Sequence, residues 1–200
     1  MPPEIRDMYN FRKKRIAVLA SGSGTNAEAL IKYFNYSERH GEIVLVITNK
    51  KNAGVIDKAR KHNVHVEYIP SKEIEDKLLD TLKKYNIDFV ALAGFLKKVP
   101  DNVIKAYERR IVNLHPSLLP AYGGKGMYGE NVFKSIINNK ENFSGISIHH
   151  VNEEYDKGRI IAQFVFPLEP GETVESLAQK THVFEHRFFP VVVELLIAGT

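Results

Sequence analysis

Short apolar runs alternate along this chain with stretches whose apolar residues recur every three or four positions. Residues 15–20 (RIAVLA) read as a strand that breaks at Ser21-Gly22-Ser23-Gly24, and residues 26–36 then read as a helix. The same rhythm repeats: strands at 42–48, 64–69 and 88–93, with helices at 53–62 and 73–85 between them. In the last helix Ile74, Leu78, Leu79 and Leu82 make the apolar stripe, and Ser71 is placed to cap it. Strands alternating with helices of this length predict a mostly parallel sheet with right-handed crossovers, so the N-terminal half reads as Rossmann-like.

Past Pro100 the pattern loosens. A short helix is predicted over 101–108, a strand over 111–114, a glycine-rich flexible loop over 121–129 and a helix over 130–139. Two further strands, 144–151 and 159–166, are joined by an acidic loop at 152–158; residues 173–196 read as helix broken or bent at Pro190. With no internal repeat or linker, the chain reads as one α/β domain, doubly wound, over 15–200. Residues 15–100 form its nucleotide-binding half, 101–200 its catalytic half, and 1–14 a basic extension for which disorder is the default.

Composition narrows this little. Hydrophobic residues make up 44% and charged residues 26% of 200, ordinary values for a soluble protein. The N-terminus lacks the apolar core of a secretory signal, and no apolar run is long enough for a membrane helix. The absence of cysteine removes disulfides and thiolate chemistry and fits a cytoplasmic setting. A net charge of +4 points to an anionic ligand, but lysines such as Lys13, Lys14, Lys50, Lys51, Lys97 and Lys98 lack the aromatic interleaving of a nucleic-acid platform.

Candidate chemistry concentrates at strand ends. Asn113 and His115, two apart on a strand, share a face, and Pro116 and Pro120 force the chain to turn just beyond them. The Gly22-Ser23-Gly24-Thr25-Asn26-Ala27 segment matches a dinucleotide fingerprint, but the second strand ends in Thr48-Asn49-Lys50-Lys51 without the acidic residue that would hold a ribose. NAD is thereby disfavoured, while NADP with Lys50 near its 2′-phosphate stays open. Free N–H groups at a helix N-terminus, with Ser23, Thr25 and Asn26, suit a single phosphate, although Asn26 could equally be a helix cap. Alternation turns one of His149 and His150 inward, and Gly158 permits a sharp return that could hold Asp156 at the rim. His115 with His149 does not have the spacing of a standard zinc motif, so no metal is expected.

Four segments taken together, SGSGTN (21–26), AGFLKKVP (93–100), NLHPSLLP (113–120) and HHVNEEYDKG (149–158), resemble the phosphoribosylglycinamide formyltransferases of purine biosynthesis. The resemblance runs from about Arg15 to Leu196 in the family's order. HPSLLP alone is shared across folate-dependent formyltransferases, including the methionyl-tRNA and sugar-amine enzymes and the formyltetrahydrofolate hydrolases. SGSGTN resembles the family's 5′-phosphate loop, which the methionyl-tRNA enzymes lack, and the short start and the end near residue 200 leave no room for the further domains of the rivals, so both select the glycinamide ribonucleotide branch.

The resemblance implies a formyltransferase fold and transfer of a formyl group from 10-formyltetrahydrofolate, as co-substrate, to the amine of glycinamide ribonucleotide. The alternative is a related enzyme acting on another amine, such as that of a sugar nucleotide. It implies Asn113, His115 and Asp156 as the catalytic triad, with protonated His115 and Asn113 donating to a tetrahedral oxyanion. It further implies Gly22, Ser23, Gly24, Thr25, Asn26, Gly94, Pro116 and Glu185 around the ribonucleotide, Glu185 on the ribose hydroxyls. Phe95, Leu96, Lys97, Val99, Asn113, His149, Val151, Asn152, Glu153, Glu154 and Tyr155 would form the folate pocket. Neither nucleic acid nor membrane is an implied partner, and the chain would act as a monomer or homodimer. Three features depart from better-known members: Lys97-Lys98 stands for Arg and an apolar residue, His182 for a common Gln near the ribose, and GGKGMYG for a His-containing loop.

Overall fold

Hydrophobic alternation in the first strand sets the layering of the whole molecule. In the computed structural model, which describes residues 12–199, β1 (Lys14–Leu19) sends Ile16 and Val18 to one face of a sheet and Ala17 and Leu19 to the other. All four are fully buried, which a strand covered on both faces requires. The sequence reading of 1–11, most of the basic extension, lies outside the described residues, as does Thr200.

One face is covered by α1 (Thr25–Asn35), α2 (Val55–Lys61) and α6 (Val174–Ala198), through Leu30, Phe34, Ala59, Phe189 and Val193. The other is covered by α3 (Ile74–Lys84) and α4 (Asp101–Ala106), through Ile74, Leu78, Leu82, Val103 and Ile104. Leu79, assigned to the buried stripe from spacing, is only partly buried beside them. A third, smaller cluster joins α5 (Glu130–Asn138), through Val132, Phe133 and Ile136, to Phe166 and Leu177.

Between the layers lies one seven-stranded sheet in the order β3-β2-β1-β4-β5-β6-β7, comprising β2 (Gly41–Thr48), β3 (His65–Tyr68), β4 (Phe89–Leu92), β5 (Ile111–His115), β6 (Phe143–His150) and β7 (Ile160–Pro167). The first five pair in parallel, and β6 and β7 add an antiparallel edge. The expected doubly wound, mostly parallel α/β sheet is therefore present. The strand order reverses between β1 and β4, and such a switch point leaves a crevice at the carboxyl ends of the strands.

Two local readings differ. Ser71 caps no helix: Glu73 occupies that position, and the Ser71 hydroxyl instead accepts from Asn49 Nδ2 at 2.9 Å. Pro190 does not break α6, which continues through it as one helix. A proline costs a backbone bond, but buried Phe189, Val192 and Val193 around it pack into the core on consecutive turns and hold the helix in register. The helix starts where its capping box predicts, with Thr173 and Ser176 exchanging side-chain and backbone bonds.

Candidate active site

Ser21, directly after β1, ties the switch point together. Its N–H donates to Gly94 O at 3.0 Å, and its hydroxyl donates to Asn49 Oδ1 at 2.6 Å while accepting from Leu96 N at 3.0 Å. One buried serine thus links the ends of β1, β2 and β4. Neither Ser21 nor Asn49 stands out in the sequence, because a lone Ser and Asn near strand ends look like ordinary turn formers.

The glycine segment follows and opens α1. Gly24 has φ 76°, and a Cβ there would lie 2.5 Å from Val55 Cα, so both conformation and space demand glycine. Gly22 O accepts from Val55 N at 3.1 Å, seating the turn on α2, while a Cβ at Gly22 would meet open space. Among the described residues no side chain caps α1. Its first N–H groups therefore face the cleft with the positive end of the helix dipole, an arrangement suited to an anion. Asn26 is not a cap but lies inside the helix, and its Nδ2 donates to Glu185 Oε2 at 2.9 Å.

Across the cleft, β5 and β6 bring the second group together. The antiparallel register sets Asn113 directly opposite His149, so the two side chains meet: Asn113 Nδ2 donates to His149 Nε2 at 3.1 Å. His149 Nδ1 faces its neighbour's carbonyl, His150 O, at 2.8 Å. The two contacts fix the orientation of the ring in the cleft. His149 is the inward histidine, 2% exposed, and His150 is half-buried.

Asp156 completes the cluster. It has φ 57°, and the return into β7 passes so close that a Cβ on Gly158 would overlap the His150 carbonyl. Gly158 is therefore needed for close approach, and the left-handed turn falls on Asp156 itself. Its Oδ1 lies 3.4 Å from Asn113 Nδ2 and 3.6 Å from His149 Nε2, and its Oδ2 lies 3.6 Å from His115 Nδ1. Burial pushes this carboxyl up, but the contact with His149, the charge His115 can carry and the Gly124 N–H together hold it below the usual aspartate range.

The loop at 121–129 grips both catalytic candidates through its backbone. Tyr122 O accepts from His115 Nε2 at 2.8 Å, and Gly124 N donates to Asp156 Oδ2 at 2.9 Å. Expected to be a flexible loop, the segment is anchored at these two points, and the Tyr122 hydroxyl is fixed outside by Glu141 and Asn139. Burial lowers the His115 pKa, outweighing the Asp156 charge and the Tyr122 carbonyl, which pull the other way. At neutral pH His115 is thus uncharged, with its proton committed to Tyr122 O. This differs from the charged oxyanion donor expected at that position, because the imidazole is 4% exposed and desolvation outweighs the carboxylate.

The two groups share one cleft of about 610 Å³, within the range of small-molecule sites. It is lined by the whole glycine segment, by Gly94, Phe95, Leu96, Lys97 and Val99, by Asn113, His115, Pro116 and His149, and by Val151, Asn152, Glu154, Tyr155, Asp156 and Glu185. Of the candidates, Glu153 alone is not among its walls and is exposed. Lys50, Lys125, Tyr128 and Phe133 line it as well. Lys125, Tyr128 and Phe133 were not singled out from the sequence, since a glycine-rich stretch reads as a connection and Phe133 as ordinary helix core. Among the described residues no cluster of His, Asp and Glu is arranged to hold a metal ion.

Known proteins share this chain's sequence and fold. A phosphoribosylglycinamide formyltransferase, chloroplastic, from Vigna unguiculata is 42% identical over 199 residues, covering 96% of this chain. The chain spans 64% of that protein's length. The phosphoribosylglycinamide formyltransferase of Bacillus subtilis is 31% identical, with 92% of this chain and 95% of that one covered. The crystal structure of phosphoribosylglycinamide formyltransferase from Bacillus halodurans superposes with a TM-score of 0.84 at 38% identity, covering 92% of this chain and 96% of that one. The profile of the formyl transferase family matches residues 14–193, and the chain belongs to that family.

Proposed function

We propose that this chain transfers the formyl group of 10-formyltetrahydrofolate to the amine of glycinamide ribonucleotide; its relatives are named phosphoribosylglycinamide formyltransferases. One observation carries the reading: an anion-binding helix terminus and the Asn113, His115, His149 and Asp156 cluster face each other across a single cleft. The phosphate would rest on Gly22, Ser23, Gly24, Thr25 and Asn26, with Gly94 and Pro116 beside the ribonucleotide and Glu185 on the ribose. The folate would lie against Phe95, Leu96, Lys97, Val99, His149, Val151, Asn152, Glu154 and Tyr155.

Attack of the amine on the formyl carbon gives a tetrahedral oxyanion. Asn113 supplies a donor: of its two N–H bonds one serves His149, and the other is held only loosely, at 3.4 Å from Asp156, so an oxyanion can draw it away. Neutral His115 takes the amine proton, Asp156 stabilises the imidazolium that forms, and the proton passes to the departing tetrahydrofolate nitrogen. The new positive charge lies in the same cleft as the oxyanion and favours it. Holding both substrates together supplies much of the remaining acceleration.

We read residues 15–200 as one domain, with the phosphate loop in 15–100, catalysis in 101–200, and the folate held between Phe95, Leu96, Lys97 and Val99 on one side and residues of 101–200 on the other. No helix among the described residues is long and apolar enough to cross a membrane, and we read the chain as a cytoplasmic monomer or homodimer. The deciding assay follows formyl transfer from 10-formyltetrahydrofolate to glycinamide ribonucleotide, with a sugar-nucleotide amine as control. Transfer to the sugar amine alone overturns the substrate assignment.

A further inference from the structure

Glu185 is a buried carboxylate, 4% exposed, on the wall of the cleft. Both of its hydrogen bonds fall on one oxygen: Oε2 accepts from Asn26 Nδ2 at 2.9 Å and from His182 Nδ1 at 2.8 Å. Oε1 takes no hydrogen bond from a described residue. Asn26 Oδ1 is a second acceptor, buried and without a partner. Asn26 Oδ1 is thus a buried acceptor whose isolation is costly unless a ligand brings a donor, and Glu185 Oε1 lies on the same cleft wall, open to a second donor. Adjacent hydroxyls of a ribose are such donors.

We propose that His182 is the positioning residue for Glu185, and that its charge sets how tightly the ribonucleotide is held; this rests on the ribonucleotide reading above. His182 sits one turn before Glu185 on α6 with a side chain 48% exposed, so it can exchange protons with solvent while its Nδ1 stays on the buried carboxylate. As imidazolium it locks Oε2, leaves Oε1 for the hydroxyls and offsets a negative charge that would otherwise repel the substrate's phosphate at the head of α1. Its hydrogen bond to Glu185 outweighs burial and raises its pKa, so the charged form persists toward neutral pH.

Other groups around it do not replace this function. On α6, His186 stacks near His182 with ring centres 6.1 Å apart, but burial lowers its pKa. On α1, Glu28 and Lys32 act on His186, and Glu28 is itself engaged by His62 and Lys58. From the loop at 121–129, Lys125 and Tyr128 line the same cleft.

The test compares steady-state kinetics of the wild-type chain with His182→Gln and His182→Leu, using glycinamide ribonucleotide and 10-formyltetrahydrofolate between pH 6 and 8.5. Taking the ratio to wild type at each pH cancels titration of the substrate's own phosphate and amine. His182→Gln keeps a neutral donor. Its KM for the ribonucleotide relative to wild type should be about threefold higher at pH 6 and converge toward wild type at pH 8.5, the scale of a half-exposed ion pair. His182→Leu should raise KM at every pH, and kcat should stay within about twofold in both, as a contact made equally in ground and transition states requires. A Gln-to-wild-type ratio that does not vary with pH, or a loss confined to kcat, overturns the proposal. A wild-type chain that does not formylate glycinamide ribonucleotide overturns the ribonucleotide reading and the proposal with it.

Discussion

The two walls of the cleft are built on opposite principles. The glycine segment before α1 offers groups without partners: helix N–H groups uncapped by any described side chain, and open space at Gly22. The cluster on β5, β6 and the following loop is the reverse, since Asn113, His115, His149 and Asp156 are occupied by one another and by nearby backbone. Donors left empty suit a permanent anion, whereas groups already engaged with one another suit charge that exists only briefly, because they stay ordered without it. Two histidines of these walls, His115 and His182, differ in the same way. His115 is pushed toward neutrality by burial, while His182 is drawn toward charge by Glu185.

The sharpest way to break the contrast is Asp156→Asn. It keeps the shape but removes the charge that stabilises His115 imidazolium, and kcat should fall by about a thousandfold with the circular dichroism spectrum unchanged. A fall of less than tenfold would remove Asp156 from the chemistry. Gly24→Ala attacks the other wall. The left-handed backbone and the overlap with Val55 should lower stability by roughly 2 kcal/mol in urea unfolding and raise KM for the ribonucleotide, with kcat less affected. Wild-type stability with unchanged KM would mean that the turn needs no glycine.

A subtler difference appears in the pH dependence of unfolding. His115 has a lowered folded pKa, so the unfolded chain binds that proton more readily, and stability falls as pH drops below the ordinary histidine value of 6.5 toward the folded one. His182, with a raised folded pKa, contributes fully below 6.5 and loses its contribution as pH rises through the folded value. In His115→Gln the urea midpoint should vary less between pH 7.5 and 5.5 than in wild type; an identical acid loss would assign that loss elsewhere. The smallest effect is expected from Tyr122→Phe. Without the hydroxyl's bonds to Glu141 and Asn139 the loop loosens around His115, and kcat should fall by about threefold. No change would show that the backbone contacts suffice.

Much of this was legible before any coordinates. Alternation placed Asn113 and His115 on one face, the glycine spacing placed a tight turn at the head of α1, and the rhythm of strands and helices gave the parallel sheet. Alternation also required one of His149 and His150 to turn inward, but which one depends on the β5–β6 register, a long-range pairing with no local signature. Ser71 failed as a cap because Asn49, 22 residues away in sequence, competes for its hydroxyl. Pro190 failed as a breaker because the core on both sides of it outweighs one lost hydrogen bond. The uncharged state of His115 follows from burial at the end of a fully covered strand, which depends on the packing around it more than on its neighbours in sequence.

The grip on His115 and Asp156 by Tyr122 and Gly124 is made by a carbonyl and an amide, groups that every non-proline residue carries. Nothing in those two bonds records which side chains stand on the loop. Apart from Tyr122, whose hydroxyl braces the loop, and Gly123, where a Cβ would lie 2.5 Å from Leu119 Cδ2, residues 121–129 are therefore open to drift so long as the positive φ angles at 122, 124, 126 and 129 are kept. A loop that looks divergent in an alignment can hold the same two catalytic groups in the same place. Side chains of the loop that line the cleft, Lys125 and Tyr128 among them, can then change without moving the two backbone groups beneath.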